Sequence, residues 1–127
     1  MRHRGLIGRR VLVVEDELLV AMELERLLRQ AGCTVLGPVP SVERAMALIR
    51  ADPPEVGLLD VNLGGRRVTP VAEALAARGL PFVLVTSHAP GALGAPILAG
   101  APLVGKPFTR QALVRALSAA LGRVNEA

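Results

Sequence analysis

Polar side chains that can act on phosphate or hold a cation follow four of the short apolar runs in the chain. They are Glu15 and Asp16 after the run 11–14, Asp60 after 56–59, Thr86 and Ser87 after 82–85, and Lys106 after 103–104. A carboxylate can attack phosphorus as a nucleophile, and carboxylates also bind hard cations. An ammonium or a bound cation neutralises the charge on transferred phosphoryl oxygens. These residue types predict chemistry on a phosphoryl group.

Lys106 and Asp60 belong to residue types that are scarce in this chain. Lys106 is the only lysine among fifteen cationic residues, and Asp60 is one of three aspartates. A lysine ammonium is a compact point charge, whereas the arginine guanidinium is planar and demands bidentate geometry and more room. We therefore interpret Lys106 as a site residue rather than as a chance surface lysine.

The carboxylates of Glu15, Asp16 and Asp60 predict a bound cation. If about 5 Å separates them, each pair repels by roughly 3 kcal/mol at an effective dielectric constant of 20. Oxygen ligands without Cys or His favour Mg²⁺, which binds through one or two carboxylates, several waters and a phosphoryl oxygen. The alternative interpretation is a solvated acidic patch at the strand ends.

Strands and helices alternate along the chain. The predicted strands are the short apolar runs 11–14, 34–36, 56–59, 82–85 and 103–104. Apolar residues then recur at helical spacing, as in the helix predicted to start at Leu18, bury Met22 and end at Gly32. The predicted N-caps of the other helices are Ser41, Thr69 and Thr109. The segment 89–100 contains Pro90, Gly91, Gly94 and Pro96, so any helix there is expected to be short.

This alternation predicts an α/β fold. We expect one doubly wound domain, in which helices cover both faces of a five-stranded parallel sheet. The carboxyl ends of parallel strands meet at one edge, where ligands bind, so the polar residues above should converge there. A dinucleotide-binding half-domain is disfavoured because Gly5 and Gly8 precede the first strand, whereas that fingerprint needs glycines after it.

Composition excludes several classes of protein. A chain of 127 residues with 51% hydrophobic side chains can bury a core without disulfides or zinc. The single cysteine, Cys33, is expected to be a buried thiol in a reducing compartment. No apolar run approaches the ~20 residues that span a bilayer, and residues 1–10 lack the apolar centre of a signal peptide. We expect a cytoplasmic protein without a membrane partner.

The net charge of +4 is concentrated in the first ten residues, which hold four arginines. The rest of the chain balances eleven cations against eleven acids, and its only aromatic residues are Phe82 and Phe108. Without a basic face or stacking aromatics, nucleic acid is not an expected partner. Residues 1–8 are expected to form a solvated basic arm, 9–123 the folded domain and 124–127 a tail.

Four motifs, in order along nearly the whole chain, resemble the receiver domain of two-component response regulators. They are Val-Leu-Val-Val-Glu-Asp-Glu, Leu-Leu-Asp-Val-Asn-Leu, Val-Leu-Val-Thr-Ser and Val-Gly-Lys-Pro-Phe. The resemblance implies a flavodoxin-like (βα)5 fold with strand order 2-1-3-4-5. It also implies a phosphoacceptor, Asp60, a switch hydroxyl, Thr86, and a phosphoryl contact, Lys106, whose bond to Pro107 is cis. The implied Mg²⁺ ligands are Glu15, Asp16, Asp60 and the backbone carbonyl of Asn62.

The same resemblance implies a stand-alone receiver that is not an enzyme. A sensor histidine kinase or a histidine phosphotransfer protein would phosphorylate it after docking near residues 18–22. The domain would then contact an output protein or act as a sink for phosphoryl groups. The face 89–122, with Leu93, Ile97 and Leu98 poorly shielded by charge, is expected to bind a partner or a second copy in a homodimer.

Three departures from the common pattern bear on the switch. Glu15 stands where Asp is more common, Leu103 where many receivers carry a mobile aromatic, and Ser87-His88 where a related subgroup has Gly-Tyr. A change in the ratio of two conformations from 1:99 to 99:1 needs about 5.5 kcal/mol of differential interaction. One charge-assisted hydrogen bond to Thr86 supplies ~1.5 to 3 kcal/mol, so a partial switch is expected.

Two other functions remain open. One is a phosphorylation-independent adaptor with a receiver fold. The other is a phosphohydrolase, which Asn62 disfavours because it leaves no acid two residues after Asp60 to protonate a leaving group.

Overall fold

The computed structural model describes residues 3–87 and 95–125. Its strands are β1 (Arg10–Val14), β2 (Thr34–Val39), β3 (Val56–Asp60), β4 (Asn62–Leu63), β5 (Arg66–Arg67), β6 (Phe82–Thr86) and β7 (Leu103–Gly105). Five of them form one sheet in the order β2-β1-β3-β6-β7, with every neighbouring pair parallel. Since β6 and β7 are the fourth and fifth strands of that sheet, the predicted order 2-1-3-4-5 is confirmed.

Within residues 3–87 and 95–125, four α-helices connect and follow the strands. They are α1 (Leu18–Gln30), α2 (Val42–Ala51), α3 (Thr69–Ala77) and α4 (Arg110–Asn125). The Ser41 and Thr109 side chains accept hydrogen bonds from the backbone N–H groups of Arg44 and Ala112, which confirms both predicted caps. The prediction for Thr69 is wrong by one residue, because the buried Val68 takes the cap position and its carbonyl begins the helix.

Two apolar layers enclose the sheet, because successive residues of a strand point to opposite faces. Val11 and Val13 pack on the side covered by α1 and α4, whereas Leu12 and Val14 pack on the side covered by α2 and α3. The central strand β3 is buried at every residue. This sandwich confirms the α/β doubly wound architecture.

In the first turns of α1, the buried face of the helix differs from the prediction. Leu18 and Met22 are 72% and 56% exposed, and Ala21 and Leu24 are buried in their place. Leu27 and Leu28 are buried as predicted. Since α1 starts only four residues after β1 ends, its first turn lies at the edge of the sheet, where less surface is available to cover it.

The basic arm is anchored to the domain at one residue, Leu6, although its other described residues are exposed as expected. A 3₁₀ turn at Arg4–Leu6 buries Leu6 completely, among residues of α1 and α4. The His3 and Gly8 N–H groups donate to the carbonyls of Ala31 and Gly32. Burial of one leucine can stabilise by about 1.5–3 kcal/mol, and the two backbone hydrogen bonds add to this anchor.

The crossover between β6 and β7 is described from residue 95. A 3₁₀ helix at Pro96–Leu98 agrees with the prediction of a short, weak helix in 89–100. The prediction that Leu98 is poorly shielded is wrong, because Leu98 is fully buried against the α3 side of the sheet. Ile97 is 37% exposed, and Leu93 and His88 lie outside the described residues. Over the described part of the chain, no helix has the length and apolar character needed to cross a membrane.

Candidate functional site

The predicted site residues meet at the carboxyl edge of the sheet. Asp60 and Thr86 are the last residues of β3 and β6, Glu15 follows β1 directly, and Lys106 follows β7 directly. These four strands are neighbours and run in parallel, so their ends converge. The Glu15, Asp60 and Thr86 side chains are all buried, whereas Asp16 is exposed.

Glu15, Asp16 and Asp60 form a compact acidic group. One ligand oxygen from each carboxylate lies within 4.8 Å of the other two. The backbone N–H groups of Glu17 and Asn62 donate to Glu15 Oε2 (3.1 Å) and Asp60 Oδ1 (3.4 Å), which orient the two buried carboxylates. This geometry agrees with the separation of about 5 Å that was assumed for the estimate of charge repulsion.

One oxygen of the acidic group is paired by charge without a regular hydrogen bond. Glu15 Oε1 is buried and accepts no hydrogen bond of normal geometry among the described residues, although the Lys106 ammonium lies 3.2 Å away. Buried polar atoms are nearly always satisfied by hydrogen bonds, so this oxygen beside two further carboxylates fits a hard cation. The donor set, three carboxylates without His or Cys, suits Mg²⁺ better than a softer metal.

Among the described residues, Lys106 is the cation that contacts this group. Its Nζ lies 3.2 Å from Glu15 Oε1, 3.3 Å from Glu17 Oε1 and 3.5 Å from Asp60 Oδ2. The lysine side chain is 15% exposed, so it is held largely out of water. One ammonium offsets only part of the charge of these carboxylates, which leaves the site anionic and attractive to a divalent cation.

Burial perturbs the titration of the site. Burial, and then the neighbouring Asp60, raises the pKa of Glu15 to about 7. Burial also raises the pKa of Asp60, although the Glu15 hydrogen bond and Lys106 oppose the change. Burial lowers the pKa of Lys106, but the negative charges of Asp60 and Glu15 outweigh burial. The pKa of Lys106 is therefore raised above its usual value. The two buried carboxyls thus compete for a proton that a bound cation would displace.

Backbone contacts between β6 and β7 set the position of Thr86 relative to Lys106. Thr86 pairs with Gly105 across the parallel ladder, and the Lys106 N–H donates to the Thr86 carbonyl at 2.9 Å. The Lys106–Pro107 bond is cis, as the resemblance implied. Gly37–Pro38 is a second cis bond, which was not predicted.

A short hairpin, β4–β5, lies beside the acidic group. Asn62 lies in β4, directly after the turn in which its N–H contacts Asp60. The hairpin turns at Gly64 and Gly65, both with positive φ, and a Cβ on Gly64 would lie 3.6 Å from Asp16 Oδ2. Glycine is therefore suited to this turn beside the site, but two-residue strands leave too weak a pattern to be predicted.

The contact between Glu17 and Lys106 was not predicted from the sequence. Glu17 is the third acid of the run Glu15-Asp16-Glu17, but spacing alone does not show which acid turns toward Lys106. Its side chain is 64% exposed and accepts a hydrogen bond from Lys106. The run of three acids was the available signal.

An apolar surface adjoins the site. Leu18, Leu19 and Met22 on α1 are all more than half exposed. A groove of about 530 Å³ lies beside them, and it is lined by Leu19, Val20, Glu23, Lys106, Pro107 and Phe108. Because Lys106 contributes to both, the groove opens directly next to the acidic group.

Comparison with known proteins identifies what this arrangement resembles. The sequence profile of the response regulator receiver domain matches residues 11–118. The transcriptional regulatory protein PdtaR of Mycobacterium tuberculosis is 28% identical over 123 residues, which cover 94% of this chain and 60% of that protein. This chain therefore spans less than two thirds of the length of that relative.

Solved structures agree with the same assignment. The solution structure of SdrG from Sphingomonas melonis Fr1 is 41% identical, with a TM-score of 0.79 over 92% of this chain and 98% of that chain. The crystal structure of the response regulator PhyR from Brucella abortus is 26% identical, with a TM-score of 0.83 over 95% of this chain and 51% of that chain. The match to SdrG extends over nearly all of that chain.

Proposed function

The chain belongs to the response regulator receiver domain family, and from this premise we propose that it accepts a phosphoryl group on Asp60 in a Mg²⁺-dependent reaction. The donor is a sensor histidine kinase or a histidine phosphotransfer protein, and the reaction takes place in the cytoplasm. The observation that carries the proposal is the position of Asp60. Its buried carboxylate lies among two further carboxylates and 3.5 Å from the only lysine in the chain.

The metal in this proposal is held by Glu15, Asp16 and Asp60, together with the backbone carbonyl of Asn62. Two observations support this assignment: Glu15 Oε1 is buried without a regular hydrogen bond, and the three carboxylates lie close together. When bound, Mg²⁺ neutralises charge on the phosphoryl oxygens and keeps the acidic group ionised.

Each protein group then has a defined chemical role. An Asp60 oxygen attacks phosphorus and forms a C–O–P linkage while the bond from phosphorus to the donor's histidine nitrogen breaks. The electron pair of the broken bond remains on the imidazole. Lys106 neutralises charge on the transferred oxygens, and the Thr86 hydroxyl donates a hydrogen bond to one of them. Asn62 supplies no acid, so we expect at most slow self-dephosphorylation.

The apolar surface of α1 is our candidate for the docking site of the phosphodonor. Leu18, Leu19 and Met22 present exposed apolar area directly beside the groove that Lys106 lines. A donor helix seated there would bring its histidine to the carboxyl edge of the sheet. Triple substitution of these residues by serine should slow transfer from a kinase but leave small-molecule phosphorylation unchanged.

In this proposal, the phosphorylated protein signals by binding an output protein, or it acts as a sink that removes phosphoryl groups from another regulator. The alternative is an adaptor that works without phosphorylation, and Leu103 is the observation that favours it. This half-buried side chain packs against the core where a mobile aromatic would otherwise report the state of the site.

Intact-mass measurement tests the proposal. The protein is incubated with acetyl phosphate and Mg²⁺, beside Asp60→Asn and a control, Asp52→Asn, in which a surface aspartate that pairs with Arg10 is changed. Wild type and the control should gain one phosphoryl group, and Asp60→Asn should gain none. Failure of the wild type with both acetyl phosphate and a panel of phosphorylated histidine phosphotransfer proteins would favour the adaptor.

A further inference from the structure

Glu17 links two loops of the site through a contact with Lys106. It occupies the position just before α1, where its backbone N–H donates to Glu15 Oε2. Its side-chain Oε1 accepts a hydrogen bond from Lys106 Nζ at 3.3 Å. The loop after β1 is thereby connected to the loop after β7.

The three carboxylates around Lys106 are not equivalent. Those of Glu15 and Asp60 belong to the acidic group that fits a cation, whereas Glu17 lies outside that group. A carboxylate that binds a cation has less negative charge available for an ammonium, and the cation also repels the ammonium. Among the contacts described, Glu17 alone keeps its full attraction for Lys106 once the acidic group is loaded.

We propose that Glu17 is a positioning residue that holds the Lys106 ammonium beside Asp60 when the acidic group binds a divalent cation. The inference rests on the proposed function, and it assigns a role to a residue outside the metal ligands, the phosphoacceptor and the switch hydroxyl. Glu17 does not touch the transferred group in this proposal. It acts through Lys106.

Because Lys106 is largely buried, its ion pair with the exposed Glu17 carboxylate can hold the ammonium in place. Ion pairs between two exposed side chains contribute little, since both chains lose conformational freedom and water screens the charges. Lys106 is only 15% exposed and is already confined by the strand that precedes it. The contact with Glu17 therefore costs less ordering than a pair in which both partners are free.

The single lysine makes a direct test feasible. Protein labelled with ¹³C,¹⁵N-lysine gives one lysine side-chain signal, that of Lys106. Its order parameter and Nζ chemical shift are measured without and with saturating Mg²⁺, in wild type, Glu17→Gln and Glu17→Asp. Glu25→Gln is the matched control, because Glu25 lies on the same helix but pairs with Arg29 and does not line the groove.

We expect Lys106 to remain ordered in Mg²⁺-loaded wild type and control, and to become mobile in Mg²⁺-loaded Glu17→Gln. The phosphorylation rate at saturating Mg²⁺ should fall by about three- to fivefold in that variant. Glu17→Asp keeps the charge but is one methylene shorter, so its Mg²⁺ affinity should stay within about twofold of wild type. Its Lys106 mobility and phosphorylation rate should resemble those of Glu17→Gln.

Two results would overturn the inference. One is an equally ordered Lys106 in Mg²⁺-loaded wild type and Glu17→Gln. The other is a wild-type rate in Glu17→Asp despite a mobile Lys106. Failure of the proposed function looks different, because the wild type itself would then bind no Mg²⁺ or gain no phosphoryl group.

Discussion

Replacement of Glu15 by glutamine should stabilise the metal-free protein at pH 8 and have little effect at pH 4.5. The Glu15 side chain is buried, and burial together with Asp60 raises its pKa from 4.5 to about 7. The unfolded chain ionises this carboxyl near the lower value. At pH 8 the folded protein therefore holds a buried charge that the unfolded chain exposes to water.

The sign of the pH dependence follows from proton binding. A group with a raised pKa binds its proton more tightly in the folded state, so it contributes stability that is complete below pH 4.5 and is lost as the pH rises through about 7. Each pKa unit corresponds to about 1.4 kcal/mol, which makes the loss about 3 kcal/mol. Glutamine has no proton to lose, so Glu15→Gln should exceed wild type by about that amount at pH 8, and by less than about 1 kcal/mol at pH 4.5.

Urea unfolding in the presence of a chelator measures this difference. The chain has neither Trp nor Tyr, so circular dichroism of the helices is the appropriate signal. Glu73→Gln, which changes an exposed acid on α3, is the control and should show no pH-dependent gain. If Glu15→Gln differs from wild type by the same free energy at both pH values, the buried charge is not the cause and the reasoning fails.

Mg²⁺ should remove most of the stability advantage that Glu15→Gln has over wild type at pH 8. A ligand at one hundred times its dissociation constant stabilises the folded state by about 2.7 kcal/mol. Wild type should gain this stabilisation at pH 8, whereas Glu15→Gln lacks one anionic ligand and should gain much less at the same Mg²⁺ concentration. A gain of equal size in both proteins would exclude Glu15 from the metal site.

Four further predictions concern other parts of the molecule. Lys106→Arg should reduce the rate of phosphorylation by acetyl phosphate at least tenfold, measured by intact mass, because the planar guanidinium does not fit beside the buried carboxylates; a wild-type rate would show that charge alone suffices. Gly64→Ala should lower the free energy of unfolding by about 1 kcal/mol and weaken Mg²⁺ binding, measured by urea unfolding and calorimetry, since φ is +56° at this turn. Leu6→Ala should cost about 2–5 kcal/mol in urea unfolding, because the side chain is fully buried, and a cost near zero would restore the interpretation of a solvated arm. Because Leu103 replaces a mobile aromatic, phosphorylation should change NMR shifts mainly in the loops of the site, and widespread shifts across the sheet would contradict a partial switch.

The sequence by itself determined the order of the elements and the edge at which the site residues meet. Apolar runs that end in acids, a hydroxyl and a lysine are short-range patterns, and parallel pairing of such strands leaves one edge on which their ends can lie. The sequence alone therefore indicates the candidate site residues Glu15, Asp16, Asp60, Thr86 and Lys106. The caps at Ser41 and Thr109 are equally local, because each depends on a hydrogen bond within four residues.

Tertiary structure alone decided which side chains touch. Leu6 and Leu98 are buried because distant helices and the sheet surround them, and Leu18 and Met22 are exposed because the first turn of α1 lies at the edge of the sheet. Apolar periodicity predicts which residues share one face of a helix. It does not predict which other elements pack against that face. The contact between Glu17 and Lys106 joins residues 89 positions apart, so it exists only after two loops have been folded together. The pKa of Glu15 depends in the same way on burial by neighbours that are remote along the chain.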